Sequence, residues 1–187
     1  MATDKPGLRT AYKTRLLEAA ADQTNYKNRI NALVSNLKEV VPAGVVVGAF
    51  KPLADELALE EYFDSLGEFC AYPRLLAREM QFCLPQTPQD FEVGQYKIRQ
   101  PVIGRSRALA TLDLRAIIVP ALAFDRRGFR LGRGQGYYDR FLQHYNGLKI
   151  GVALSAQISN DDLPRDEHDV AMDIVITEDY IFRRLDA

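Results

Sequence analysis

Five short apolar runs rich in β-branched residues constrain this 187-residue chain most. They are Val45-Val46-Val47-Gly48-Ala49-Phe50, Phe69-Cys70-Ala71-Tyr72, Leu114 to Pro120, Lys149 to Leu154 and Asp173 to Thr177. Runs of this length are too short for helices and suit strands buried on both faces. Met80, Phe82 and Leu84 alternate with Glu79, Gln81 and Cys83, the pattern of a half-buried strand. Residues 8–22 and 25–38 instead space their apolar side chains helically, and 55–66 and 137–145 also read as helices. Residues 85–110, with Pro85, Pro88 and Pro101, look irregular. Strands alternating with helices predict a three-layer α/β/α fold around a mostly parallel sheet.

The 47% hydrophobic content and the absence of a visible linker suit one domain over residues 1–187. The net charge of −1 gives no global attraction for nucleic acid or an anionic membrane. Cys70 and Cys83 sit in apolar surroundings and are expected as reduced core thiols. The start, Met1 to Arg9, is polar, and no run is long enough to span a membrane. These features predict a soluble, cytoplasmic protein.

The segment after the third apolar run carries the chemistry. It reads Arg130-Leu131-Gly132-Arg133-Gly134-Gln135-Gly136-Tyr137-Tyr138-Asp139-Arg140. A strand, then a glycine-rich loop, then a helix is where open α/β sheets collect ligands. Glycines let the backbone approach an anion, and a helix start favours phosphate. Arg130 and Arg133 add forked donors suited to phosphate oxygens. Asp139 offers the oxygen ligand that Mg²⁺ prefers. The spacing matches neither the dinucleotide fingerprint nor a Walker A loop. An ordinary strand–helix turn is the alternative at this point.

The string R-L-G-R-G-Q-G-Y-Y-D-R-F-L closely resembles the signature of the 5-formyltetrahydrofolate cyclo-ligases, also called methenyltetrahydrofolate synthetases. Other segments extend the resemblance over most of the chain. They are Lys5-Pro6-Gly7-Leu8-Arg9, Tyr72-Pro73-Arg74 with Met80 and Phe82, Ile98-x-Gln100-Pro101, and Pro164 to Glu178. The resemblance implies an ATP- and Mg²⁺-dependent ring closure. 5-Formyltetrahydrofolate and ATP give 5,10-methenyltetrahydrofolate, ADP and phosphate.

The resemblance also implies roles. Arg130, Arg133 and Tyr138 are implied as catalytic. Lys5, Arg9 and the run Arg130, Leu131, Gly132, Arg133, Gly134, Gln135, Gly136, Tyr137 and Tyr138 are implied on ATP. Phe50, Glu56 and Tyr72, with Arg133 to Tyr137, are implied on the folate. Asp139 and Asp169 are the implied Mg²⁺ ligands. Two positions depart from the pattern: Gln135 stands where some members have lysine, and Leu75 where some have an aromatic residue.

Read without the resemblance, Lys5 and Arg9 stand four apart and share one helix face, as a solvated start would. His168-Asp169 suits a general-base pair, a metal site or a loop. His144 and His168 are the only histidines, which excludes a histidine-rich metal site. Three competing functions follow. A binding protein would hold nucleotide or folate without turnover. A sugar-phosphate enzyme would need a carboxylate base. An RNA module would use Lys97, Arg99, Arg105 and Arg107, but only Tyr96 lies nearby to stack. The expected partners are small molecules, without nucleic acid or membrane, and a monomer is expected.

Overall fold

The computed structural model describes residues 4–184. The first three residues of the polar start therefore lie outside the described residues. The chain begins with α1 (Lys5–Ala20) and α2 (Gln23–Val40). Next come β1 (Val47–Gly48), α3 (Glu60–Ser65), β2 (Cys70–Leu76) and β3 (Glu79–Leu84). Short strands follow: β4 (Phe91–Val93), β5 (Arg99–Pro101) and β6 (Arg107–Ala108). Then come β7 (Ala116–Pro120), β8 (Ala123–Asp125), β9 (Arg130–Leu131) and α4 (Tyr137–Leu142). The chain closes with β10 (Leu148–Val152), β11 (Ile158–Ser159), β12 (Ile174–Ile176) and β13 (Ile181–Arg183).

Eight strands form the main sheet in the order β13-β12-β10-β7-β1-β2-β3-β6. The five from β12 to β2 run parallel. Antiparallel β13 flanks one side, and antiparallel β3 and β6 the other. The α/β expectation is met, with an antiparallel margin that the apolar runs did not reveal. Strand β7 sits at the centre because its residues can face apolar surroundings on both sides. Ile118 joins the core under α2 and α3, while Ile117 and Val119 join the core that α4 covers. Each such side chain contributes roughly 1.5–3 kcal/mol when fully buried.

Local chemistry sets the helix starts. Asp4 Oδ1 accepts from the Gly7 N–H at 3.2 Å at the start of α1. Asp22 Oδ1 takes the Thr24 and Asn25 N–H groups, both at 3.1 Å, and α2 begins directly after α1. These caps satisfy donors that the helix itself leaves free. No described helix is long and apolar enough to cross a membrane.

Five expectations are corrected. The helix expected over 55–66 is confined to Glu60–Ser65, because Leu53 to Glu56 close a turn. The helix expected over 137–145 ends at Leu142, so it has under two turns and a small dipole. The irregular stretch 85–110 contains the β4–β5 ribbon and β6. The loop after β7 is a hairpin, β8–β9, which also pairs with β11.

Strand β2 also runs through Pro73 instead of stopping before it. Pro73 lacks an N–H, but by that point β1 has ended. Leu75, two residues on and facing the same way, donates its N–H to Gln100 Oε1 at 3.3 Å.

Candidate active site

The chain moves from β1 to β2 on one side of the sheet and from β7 to β10 on the other. The loops leaving the carboxyl ends of β1 and β7 therefore diverge, and a crevice opens between them. A cavity of about 350 Å³ lies there, between Phe50, Lys51 and Leu53 on one side and Pro120, Ala121 and Leu122 on the other. Pro73, Leu75, Met80 and Ile98 give it an apolar wall. The glycine loop forms the opposite wall, from Gly132 to Gly136, with Arg130, Tyr137, Tyr138 and Asp139. This size and lining suit a small organic ligand held by a few polar groups.

The loop has the shape it has because of its glycines. Gly134 and Gly136 have φ of 94° and 69°, which side-chain-bearing residues rarely adopt. A Cβ at Gly134 would stand 3.2 Å from Cζ of Arg9. Arg9 reaches over from α1 and donates from Nε to the Gly132 carbonyl at 3.0 Å. Lys5, one turn earlier, binds Asp166 at 2.6 Å and Asp169 at 2.9 Å. Burial pulls its pKa down, and the two carboxylates outweigh that, so it stays above the ordinary lysine value. The shared helix face thus docks α1 onto two different loops.

Arg130 is almost wholly buried, and its Nη2 lies 2.5 Å from Asp139 Oδ1. Arg133 turns the other way. Its Nη2 donates to Asp55 Oδ1 at 2.7 Å and its Nε to Glu56 Oε1 at 3.0 Å. Lys13 also reaches Asp55, at 2.8 Å. The Arg133 guanidinium, and Lys13 behind it, hold the Asp55 carboxyl at about 2 against the opposing effect of burial. Glu56 is therefore a turn carboxylate that faces the cavity, and not a helix-start residue.

Tyr96 donates from its hydroxyl to Gln135 Oε1 at 3.0 Å, across the cavity mouth. Tyr137 joins the same rim, donating to the Ala77 carbonyl at 3.0 Å. So Gln135 is tied to the turn that joins β4 to β5.

Of the residues expected in the site, the cavity gathers Phe50, Glu56, Arg130, Gly132, Arg133, Gly134, Gln135, Gly136, Tyr137, Tyr138 and Asp139. Tyr72 is not among them. Alternation along β2 turns it to the opposite face, where it packs edge-on against Phe91 at 5.3 Å beneath Lys51. Leu131 is buried in a small core with Tyr12 and Leu163. Lys5 and Asp169 lie outside the cavity wall, paired with each other. Sequence reading missed Lys51, Leu53, Asp55, Tyr96 and Ile98 as cavity residues. The Ile98-x-Gln100-Pro101 string was the available signal for the last two elements of the wall.

Asp139 and Asp169 were expected to share a Mg²⁺. Gln143, one turn beyond Asp139 on the same face of the chain leaving α4, donates to the His168 carbonyl at 3.1 Å. The Asp139 face therefore adjoins the loop that carries Asp169. Among the described residues no group of three or more His, Cys, Asp or Glu gathers into a cage. The donor set fits a cation that takes one or two carboxylates and completes its shell from phosphate and water.

A profile of the 5-formyltetrahydrofolate cyclo-ligase family matches residues 1–178. The solved structure of the 5,10-methenyltetrahydrofolate synthetase of Aquifex aeolicus superposes with a TM-score of 0.81 at 31% identity, covering 98% of this chain and 94% of that one. The 5-formyltetrahydrofolate cyclo-ligase of Mycolicibacterium smegmatis is 30% identical over 92% of this chain and 94% of its own. The mouse 5-formyltetrahydrofolate cyclo-ligase is 29% identical over 94% of each.

Proposed function

The chain belongs to the 5-formyltetrahydrofolate cyclo-ligase family, and from that premise we propose that its cavity carries out the family's ATP-dependent ring closure on 5-formyltetrahydrofolate. The products are 5,10-methenyltetrahydrofolate, ADP and phosphate. The observation that carries this reading is the convergence of the glycine loop, buried Arg130 and the Glu56 turn on one largely apolar cavity.

The formyl oxygen on N5 is a poor leaving group. Transfer of the terminal phosphoryl group of ATP to that oxygen makes it a good one, and N10 then closes the ring. No covalent nucleophile is required of the protein. Its task is to offset charge and align the two substrates. Arg9 and the backbone of Gly132 to Gly136 take the nucleotide side, with Lys5 tying α1 down beside them. Glu56 takes N–H donors of the pterin, and Phe50, Pro73, Leu75, Met80 and Ile98 form its apolar slot. Arg133 links the two halves, because it rises from the phosphate loop and grips the Glu56 turn.

Asp139 and Asp169 are the residues that would hold Mg²⁺, which would supply positive charge against the phosphates when bound. The protein's share is to keep Arg130 and Lys5 beside these carboxylates. Purified protein with 5-formyltetrahydrofolate, ATP and Mg²⁺ should develop the methenyl chromophore, and chelation of the metal should stop it. Folded protein that gives no product from fresh substrates would overturn the reading.

A further inference from the structure

The β4–β5 ribbon is fastened firmly at one end only. At its base Arg74 reaches across from β2 and donates from Nη1 to Glu92 Oε1 on β4 at 2.7 Å and to the Pro101 carbonyl on β5 at 2.5 Å. Gln100 and Pro101 are buried there, and the Val102 N–H meets the Asp90 carbonyl at 2.7 Å. The other end, Gln95 to Lys97, is exposed. It is one compact turn, with the Gly94 N–H donating to the Ile98 carbonyl at 2.9 Å and the Ile98 N–H to the Gln95 carbonyl at 3.2 Å. Among the described residues, two hydrogen bonds tie this tip to the glycine-loop side, both exposed. The Tyr96 hydroxyl donates to Gln135 Oε1 at 3.0 Å, and the Tyr137 hydroxyl donates to Gln95 Oε1 at 3.3 Å. The tip is also strained. Tyr96 and Lys97 have φ of 57° and 59°, a left-handed conformation that crowds Cβ against the following carbonyl oxygen. Such residues persist where their surroundings hold them, and they gather at ligand clamps and switch regions.

We propose that residues 94–98 form a strap across the cavity mouth, which swings away from the glycine loop to pass a ligand and latches again over it. The Tyr96–Gln135 bond is the latch, and Arg74 anchors the base. The choice of 5-formyltetrahydrofolate as that ligand rests on the ring-closure reading above. A pocket that encloses most of a ligand's surface admits it only if one wall gives way. Phe50 and Pro120 to Leu122 follow directly on inner strands, and Pro73, Leu75 and Met80 lie within β2 and β3. The glycine loop is held by Arg9, by the Arg130–Asp139 pair and by the grip of Arg133 on Asp55. The strap is the piece of wall held by exposed contacts, and moving elements are drawn from such weakly held parts. Opening exchanges the latch for water at small net cost and releases two left-handed residues. Closure keeps water from the phosphorylated formyl group while N10 attacks.

Tyr96→Phe tests this, because the variant loses the latching hydroxyl and keeps the ring. Stopped-flow binding of 5-formyltetrahydrofolate should show association and dissociation rates that both rise roughly fivefold, with Kd within about twofold of the wild type. A residue that only touches the ligand would raise dissociation alone. Hydrogen exchange on the free protein supplies the second readout. Amides of residues 94–98 should exchange faster in the variant than in the wild type, with those of 90–93 and 99–102 unchanged. Arg74→Met should instead speed exchange at the base and the tip together. An unchanged association rate in Tyr96→Phe, a rise in dissociation alone, or a tip that exchanges no faster than in the wild type overturns the proposal. Unchanged exchange at the base in Arg74→Met overturns the anchor. Wild-type protein that binds 5-formyltetrahydrofolate but makes no product, or that does not bind it, refutes the ring-closure reading instead. The exchange comparison still decides whether the strap opens.

Discussion

Asp139 holds Arg130 at 2.5 Å from the first turn of α4, and so fixes the one arginine of the glycine segment that is buried to 4% exposure. The pair joins β9 to α4 across the loop that both elements flank. Removing the carboxylate leaves a buried guanidinium without its counter-charge. Asp139→Ala should therefore lower unfolding stability by about 3 kcal/mol, as breakage of buried pairs does. Urea denaturation of the two proteins measures it. A loss within experimental error of zero would mean that the pair contributes nothing to the fold.

Arg133 should behave differently from Arg130. It is about one-third exposed, and its partner Asp55 keeps Lys13 when the guanidinium is gone. Exposed pairs contribute little to stability. Arg133→Ala should cost about 1 kcal/mol of stability while turnover falls roughly 100-fold. Parallel losses in the two measurements would identify Arg133 as a structural residue only.

Acid should expose the Asp55 interaction. Its carboxyl is held at about 2, foremost by Arg133, below the ordinary value of 3.8. A carboxylate depressed in the folded state stabilises the fold above its unfolded pKa, and that contribution fades as pH falls through the folded value. The wild type should exceed Asp55→Asn by roughly 1 kcal/mol at pH 7, allowing for solvent screening. The gap should close as pH falls from about 4 toward about 2. A gap that is constant over that range would assign the effect to hydrogen bonding alone.

Two glycines separate fold from function. Gly128 has φ of 81°, and a Cβ there would lie 2.7 Å from the Met172 carbonyl oxygen, a backbone atom with little room to move. Gly134→Ala would instead press on the end of the Arg9 side chain. Gly128→Ala should therefore destabilise by more than about 2 kcal/mol. Gly134→Ala should fold with a milder loss and raise the KM for ATP severalfold. Thermal melts and steady-state kinetics on both variants check the contrast. Equal melting temperatures would remove it.

The layer architecture was readable locally. Ile117, Ile118 and Val119 are buried on both faces, and a β-branched run too short for a helix meets that as an inner strand. The glycine segment was readable for the same reason, since Gly134 and Gly136 take conformations that other residues rarely tolerate. The β4–β5 ribbon was not readable. Its strands are three residues each, shorter than a period-two pattern needs to be seen.

The sequence by itself determined the parallel core, the two capped helices and the charged glycine loop, because each follows from side-chain period, capping and backbone freedom within a few residues. Only the tertiary structure decided which partner each charge takes. Arg130 and Arg133 look alike in the string, yet one is buried on Asp139 nine residues away and the other reaches Asp55 seventy-eight residues away. Tyr72 looked like a cavity residue until alternation along β2 turned it to the far face. Pairing across such separations depends on how the sheet brings its strand ends together, and no local pattern encodes that.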